Sequence, residues 1–303
     1  MSGVSDVVRG PGSAESLVRR TGVRGFPGLG RHDPTIDSAW SPEPGPLALA
    51  VVILLLYTQA FARLRRRTGG AHATAGRAAL FGVGLGVSVL ALVSPIDAIG
   101  EEQLLAAHML QHLLLGDVGP LLMVLGVRGP LAIFLVPTPA LRVLARGPLR
   151  RVVSLLLRPR VSLALWLAAL AGWHVPRAYD AAVAHPALHA AEHACFALGG
   201  LLAWTQILDP SRRARLSAGG RAAFAFAMLV ASGILSEVLV ATHPLYAHYV
   251  AVQDRPFGWS AGQDQSRAAL LMMAEQIATL ATAMTFLVRA HVERVAKELP
   301  GAG

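Results

Sequence analysis

Histidine is the residue type in this chain best suited to chemistry, and its spacing is informative. There are eleven histidines. His108 and His112 stand four residues apart, and so do His189 and His193. On a helix, residues at i and i+4 share a face, so each pair presents two imidazoles in one direction. Two such pairs on different helices can aim four rings at one point. Imidazole alone suits copper, zinc or iron, and imidazole with a thioether suits Cu(I). Met109 lies three residues before His112, and Met272 and Met273 occupy another apolar stretch. His174, His185 and His243 are candidates for completing or loading the site. His185 precedes Pro186 and is expected just outside the helix that carries His189. Glu192 and Asp180 are expected to orient the rings by accepting their N–H groups. Taken singly, any of these histidines also reads as a hydrogen-bonded interfacial residue, and the set as a polar belt without metal.

Other chemistries are narrowed by what is scarce. The one cysteine, Cys195, permits neither an intrachain disulfide nor a paired-thiolate metal site. It reads as a small buried apolar residue. The one lysine, Lys297, comes after the last apolar run, so a retinal Schiff base inside the bundle is excluded. Asp117, Glu237 and Glu275 fall within apolar stretches, where a carboxyl is costly and functional by default. A proton or ion relay and a packing role both fit them. His72 and His291 read as surface residues, and His32 lies in an N-terminal tail.

The elements that must position these residues are membrane helices. The 303 residues are 54% hydrophobic and only 15% charged, with mean hydropathy +0.51. Such a balance excludes a disordered chain. The apolar residues gather in long runs, which read as membrane spans. The seven candidate helices are Pro46–Leu64, Ala78–Ser94, Leu104–Leu125, Val161–Val175, Ala187–Leu208, Arg221–Thr242 and Ala268–His291. Most approach the roughly 20 residues that cross about 30 Å of hydrocarbon. The fourth is short, and Pro159 limits where it begins. Pro130–Pro137 is apolar but too short to cross, which fits the interface. The expected fold is therefore an all-α polytopic helix bundle spanning 46–291, with a flexible tail over 1–45 and a short tail over 292–303.

The net charge of +9 is explained by position, not by nucleic acid. Arginines crowd the loop after helix one (Arg63, Arg65, Arg66, Arg67, Arg77) and the loop after helix three (Arg128, Arg142, Arg146, Arg150, Arg151, Arg158, Arg160). Arg212, Arg213 and Arg215 come after helix five, and Arg289, Arg294 and Lys297 mark the C-terminus. The alternate loops, around Ser94–Gln103, Pro176–Pro186 and His243–Arg267, are nearly free of cations. The positive-inside rule then puts the N-terminus outside and the C-terminus in the cytoplasm. The tail placed outside carries five arginines, balanced by five acids. In this orientation eight of the eleven histidines (108, 112, 174, 185, 189, 193, 243 and 248) fall in one outer layer. Trp173 and Trp259 outside and Trp204 inside read as an aromatic belt.

Several stretches, in order, carry a family resemblance. They are Trp40 with Pro44, Ser94-Pro95-Ile96-Asp97, His108-Met109-Leu110-Gln111-His112-Leu113-Leu114, and Pro120-Leu121-Leu122 with Leu125-Gly126. Next are Trp173-His174-Val175-Pro176, Tyr179-Asp180, His185-Pro186, His189, Glu192-His193 and Phe196. His243-Pro244-Leu245-Tyr246 with Tyr249, and then Asp264-Gln265, complete the set. Over roughly residues 37–290 the chain resembles the CtaG-like cytochrome c oxidase assembly factors, seven-span bacterial membrane proteins. It departs from them at Ala269 and Met272-Met273, where the family tends to have a Gly and a Met-Trp pair. The resemblance implies assembly of a heme-copper oxidase in the bacterial plasma membrane, by transfer of copper and not by catalysis. Oxidase subunits, and extracytoplasmic copper chaperones as donors, are the partners it implies. The residues alone leave two alternatives: a b-type heme electron carrier ligated by His112 and His193, and a metal-free scaffold. A membrane di-iron oxygenase is disfavoured, since the chain lacks adjacent histidine pairs.

Overall fold

The computed structural model describes residues 40, 44–136, 140, 142, 143, 146–211 and 215–298. The expected N-terminal tail beyond Trp40 and Pro44, with His32, lies outside these, as do Arg212 and Arg213. The described residues are all helical or irregular, with no strand among them.

The seven expected stretches are all helical, and further helices stand between them. In chain order the first are α1 (Pro44–Thr68), α2 (Ala75–Val93), α3 (Pro95–Glu102), α4 (Leu105–Gly126), α5 (Gly147–Leu156) and α6 (Pro159–Trp173). Next come α7 (Pro176–Ala184), α8 (Pro186–Leu208), α9 (Ala218–Ala241), α10 (Ala247–Ala251) and α11 (Ala261–Ala296). Five of them (α1, α2, α4, α9 and α11) are long and apolar enough to cross a membrane. A sixth span results if α5 and α6, bent by 72°, are taken as one. The 23-residue α8 is long enough but carries His189, Glu192 and His193, and these depress its hydropathy. They are tolerated because they face the protein interior.

Two stretches expected as loops are helical. Ser94 accepts the Ile96 N–H and starts α3, with Pro95 in its first turn. Pro176 likewise opens α7. The described part of the short apolar segment, residues 130–136, is not a free interfacial stretch, and Pro137 lies outside the described residues. Leu131 is fully buried against Tyr57, Phe81 and Leu85 of α1 and α2, because a short helix over Leu131–Phe134 folds back onto them. Cys195 is exposed, contrary to its expected burial. It shares the outward face of α8 with Leu188 and Leu198, at spacings of seven and three residues, and its small side chain is not used in the core.

The central helix is α4, which packs on α2, α8 and α11. Its apolar window is 61% buried within the protein, against 17% for α1, whose Leu49, Val51, Val52 and Leu55 point outward. Glycines permit these close crossings. A Cβ on Gly200 of α8 would sit 1.8 Å from the Gly116 carbonyl oxygen of α4. One on Gly119 would sit 2.1 Å from Ser88 Oγ of α2. Small residues at such crossings let helix backbones meet. Gly200→Ala is therefore expected to push α8 off α4 and destabilise the fold by about 3 kcal/mol or more, the upper end for overpacking. Gly233→Ala is the control, since its Cβ would meet nothing within 4 Å. Thermal melts of the two variants in detergent check the contrast.

Candidate metal centre

The two histidine pairs meet where α4 faces α8. The start of α4 is fixed by an unusual cap. Leu104 offers no side-chain acceptor, so the orphan N–H groups of the first turn need one from elsewhere. Asp264 of α11 supplies it, accepting from Leu105 N at 2.9 Å and Ala106 N at 3.0 Å. The adjacent Gln265 accepts from Leu245 N at 2.8 Å and donates to the Leu239 carbonyl at 2.8 Å, pinning the loop after α9. Gln111 donates to the Ala91 carbonyl and to the Asp97 carboxylate, holding the α2–α3 corner against α4.

His108, His112, His189 and His193 each offer one ring nitrogen within 4.8 Å of the others. All four side chains are largely removed from solvent, from fully buried His108 to His193 at 8% exposed. The ring centroids of His108 and His112 are 4.4 Å apart, those of His189 and His193 4.1 Å, and those of His112 and His193 5.3 Å.

The tautomers are set by the partners. Tyr249 OH donates its single proton to the Gly100 carbonyl at 2.6 Å. It can therefore only accept from His108 Nδ1, 2.7 Å away. Burial pushes the Tyr249 phenol well above its ordinary pKa, so it keeps that proton. His189 Nδ1 lies 2.5 Å from Glu101 Oε1, which also can only accept when ionised. Both rings thus carry a proton on Nδ1 and turn Nε2 inward, and these two nitrogens are 3.2 Å apart. Two lone pairs at that distance repel unless a cation, a proton or a metal, lies between them. Two nitrogens bound at about 2.0 Å to a tetrahedral ion are separated by about 3.3 Å, so the spacing fits such an ion.

The remaining expected site residues separate clearly. His174 is buried at the end of α6, with Nδ1 2.7 Å from the Leu170 carbonyl, and stands outside the four-ring group. Met109 is buried in the apolar core one residue from His108. His185 and His243 are exposed, in the cap of α8 and the loop after α9, and are not brought to the cluster. Asp180 does not orient a ring. Its carboxylate accepts backbone N–H groups of Ala247 and His248 at 3.2 Å, because it is needed to start α10. Glu192 approaches His112 Nε2 only to 3.9 Å, too far for a hydrogen bond. The orienting acceptors are Tyr249 and Glu101 instead. A signal for Glu101 does exist in the sequence: two acids, Glu101 and Glu102, stand in a cation-free stretch just before the histidine helix.

The acids differ among themselves. Glu237 is exposed on α9. Asp117 is buried in a π-turn, Leu114–Val118, that interrupts α4 just after His112. A second π-turn, Ile277–Ala281, interrupts α11 just after Gln276. Such turns rotate the remainder of the helix about its axis and often mark functional sites. Gln276 Nε2 donates to Asp117 at 2.6 Å and to Glu275 at 2.8 Å. Trp204 Nε1 donates to Asp117 at 2.7 Å and is 1% exposed. Trp204 is therefore no belt residue, since its indole N–H is spent on a buried carboxylate.

An all-helical protein with at least five membrane-length apolar helices around a buried imidazole cluster able to hold a metal ion defines the class. Within it, residues 55–293 match the model of the cytochrome c oxidase caa3 assembly factors (Caa3_CtaG), and the chain belongs to that family. Neither the curated proteins nor the solved structures yield a match.

Proposed function

We propose that this cytochrome c oxidase assembly factor holds copper at His108, His112, His189 and His193 and passes it by ligand exchange to a subunit of a heme-copper oxidase. The observation that carries this reading is the pair of inward-facing Nε2 atoms, on His108 and His189, 3.2 Å apart and each ring fixed by a hydrogen bond on its far side. Preset tautomers are what a metal site needs from its surroundings. Glu101, its side chain 39% exposed, stands at the rim and gives an incoming cation a negative mouth. Extracytoplasmic copper chaperones are the donors, and no catalytic step is involved.

The orientation is also part of the proposal. Counting α8 and the bent α5–α6 pair with the five apolar helices makes seven spans. The arginine-bearing loops then lie in the cytoplasm, the cluster on the outer side of the bacterial plasma membrane, and the N-terminus outside. The heme alternative fits the geometry poorly. His112 and His193 are 5.3 Å apart by ring centroid, with two further imidazoles crowding them, so no planar slot for a macrocycle lies between. Metal analysis and a visible spectrum of the purified protein test the reading. Bound copper without an intense Soret band is expected. A Soret band would favour the heme carrier. Copper-free protein whose loss blocks oxidase assembly even in excess copper would favour the metal-free scaffold.

A further inference from the structure

A cavity adjoins the cluster on its Asp117 side, lined by His112, His174, Asp117, Ser232, Met272 and Gln276 along with apolar walls. Four of these residues carry buried polar atoms without a hydrogen-bond partner: both His112 ring nitrogens, one of which belongs to the cluster, His174 Nε2, Ser232 Oγ and Gln276 Oε1. None of the four is more than 7% exposed. Buried polar groups in native proteins nearly always have partners, and a guest in this cavity would lie beside residues that lack them.

The sign of the lining identifies that guest. His174 Nδ1 lies 2.7 Å from the Leu170 carbonyl, so it carries the ring proton and Nε2 is a bare lone pair. Gln276 has committed its Nε2 to Asp117 and Glu275, which leaves Oε1, an acceptor. The Met272 thioether presents only lone pairs, while both Asp117 oxygens already accept from Trp204 and Gln276. Beside the donors of Ser232, His112 and Trp166, the lining side chains of His174, Gln276 and Met272 offer uncommitted acceptors. Those acceptors favour a cation as the guest. Imidazole beside thioether selects soft Cu(I) among cations.

We propose that this cavity is a second Cu(I) station, held by His174 Nε2 and Met272 Sδ, with His112 serving the four-histidine cluster and the cavity in turn. The transfer is ligand exchange alone, with no change in oxidation state. It rests on the reading of the cluster as a copper site and extends it inward toward the membrane interior.

Titrating Cu(I) into the purified full chain against a chromophoric Cu(I) chelator tests it. Two equivalents are expected for the wild type, and one for His174→Ala. Met272→Leu keeps the shape of the side chain, so it guards against a folding artefact. It should weaken the second equivalent at least tenfold and leave the first unchanged. One equivalent in the wild type that is unaffected by either variant overturns the second station and leaves the cluster reading standing. One equivalent lost in His174→Ala yet kept in His189→Ala with His193→Ala overturns the cluster reading while the station survives. No binding in the wild type overturns both.

Discussion

Replacing His112 and His193 together by alanine is expected to abolish high-affinity copper binding and to lower the amount of active oxidase in cells that depend on this chain. The two rings come from different helices, α4 and α8, and each contributes a nitrogen to the group within 4.8 Å. Losing both leaves only His108 and His189. Disrupting the hydrogen bonds behind a metal ligand typically costs 10- to 100-fold in affinity, so deleting two ligands should cost more than about 100-fold. Neither ring makes a hydrogen bond that holds the fold: both His112 nitrogens and His193 Nε2 lack partners. The variant should therefore remain folded, as a thermal melt would report. Unchanged copper binding in the double variant would exclude the cluster as the copper site.

The second large effect is expected from residues that would never touch the ion. Tyr249→Phe removes the acceptor for His108 Nδ1–H, and Glu101→Gln weakens the acceptor for His189 Nδ1–H. Each should lower copper affinity by about 10- to 100-fold while the stoichiometry stays fixed. The two act on different rings, so combining them should nearly multiply the losses, less whatever coupling passes through the shared ion. Asp180→Asn is the informative contrast. The sequence points to Asp180 as an orienting acid, yet its carboxylate meets only backbone N–H groups of α10. It should change affinity far less, and competition titration of the three variants separates these outcomes.

The helices and the two histidine pairs are legible in the sequence because both depend on local periodicity. Apolar runs mark the spans, and an i,i+4 spacing puts His108 with His112 and His189 with His193 whatever surrounds them. The features that escape such a reading are long-range or irregular. The Asp264 cap on α4 joins residues 159 and 158 positions apart, and no local pattern announces it. The π-turn at Leu114–Val118 changes hydrogen-bond register without a change in composition, so Asp117 can be placed within the span but not aimed. Trp204 resembles a belt residue because a tryptophan near a helix end usually is one. Only the tertiary contact with Asp117 makes it a buried donor. His185 and His243 have the right residue type in the right loops, but a cap and a loop tip leave both exposed.

X-ray absorption at the copper edge, on purified protein loaded with one equivalent of copper, reads the ligands of the ion themselves. A four-histidine copper centre predicts a nitrogen first shell with the outer-shell scattering of imidazole rings, lost when His112 and His193 are both alanine. Copper bound without imidazole scattering, or with a spectrum unchanged in that variant, would contradict it.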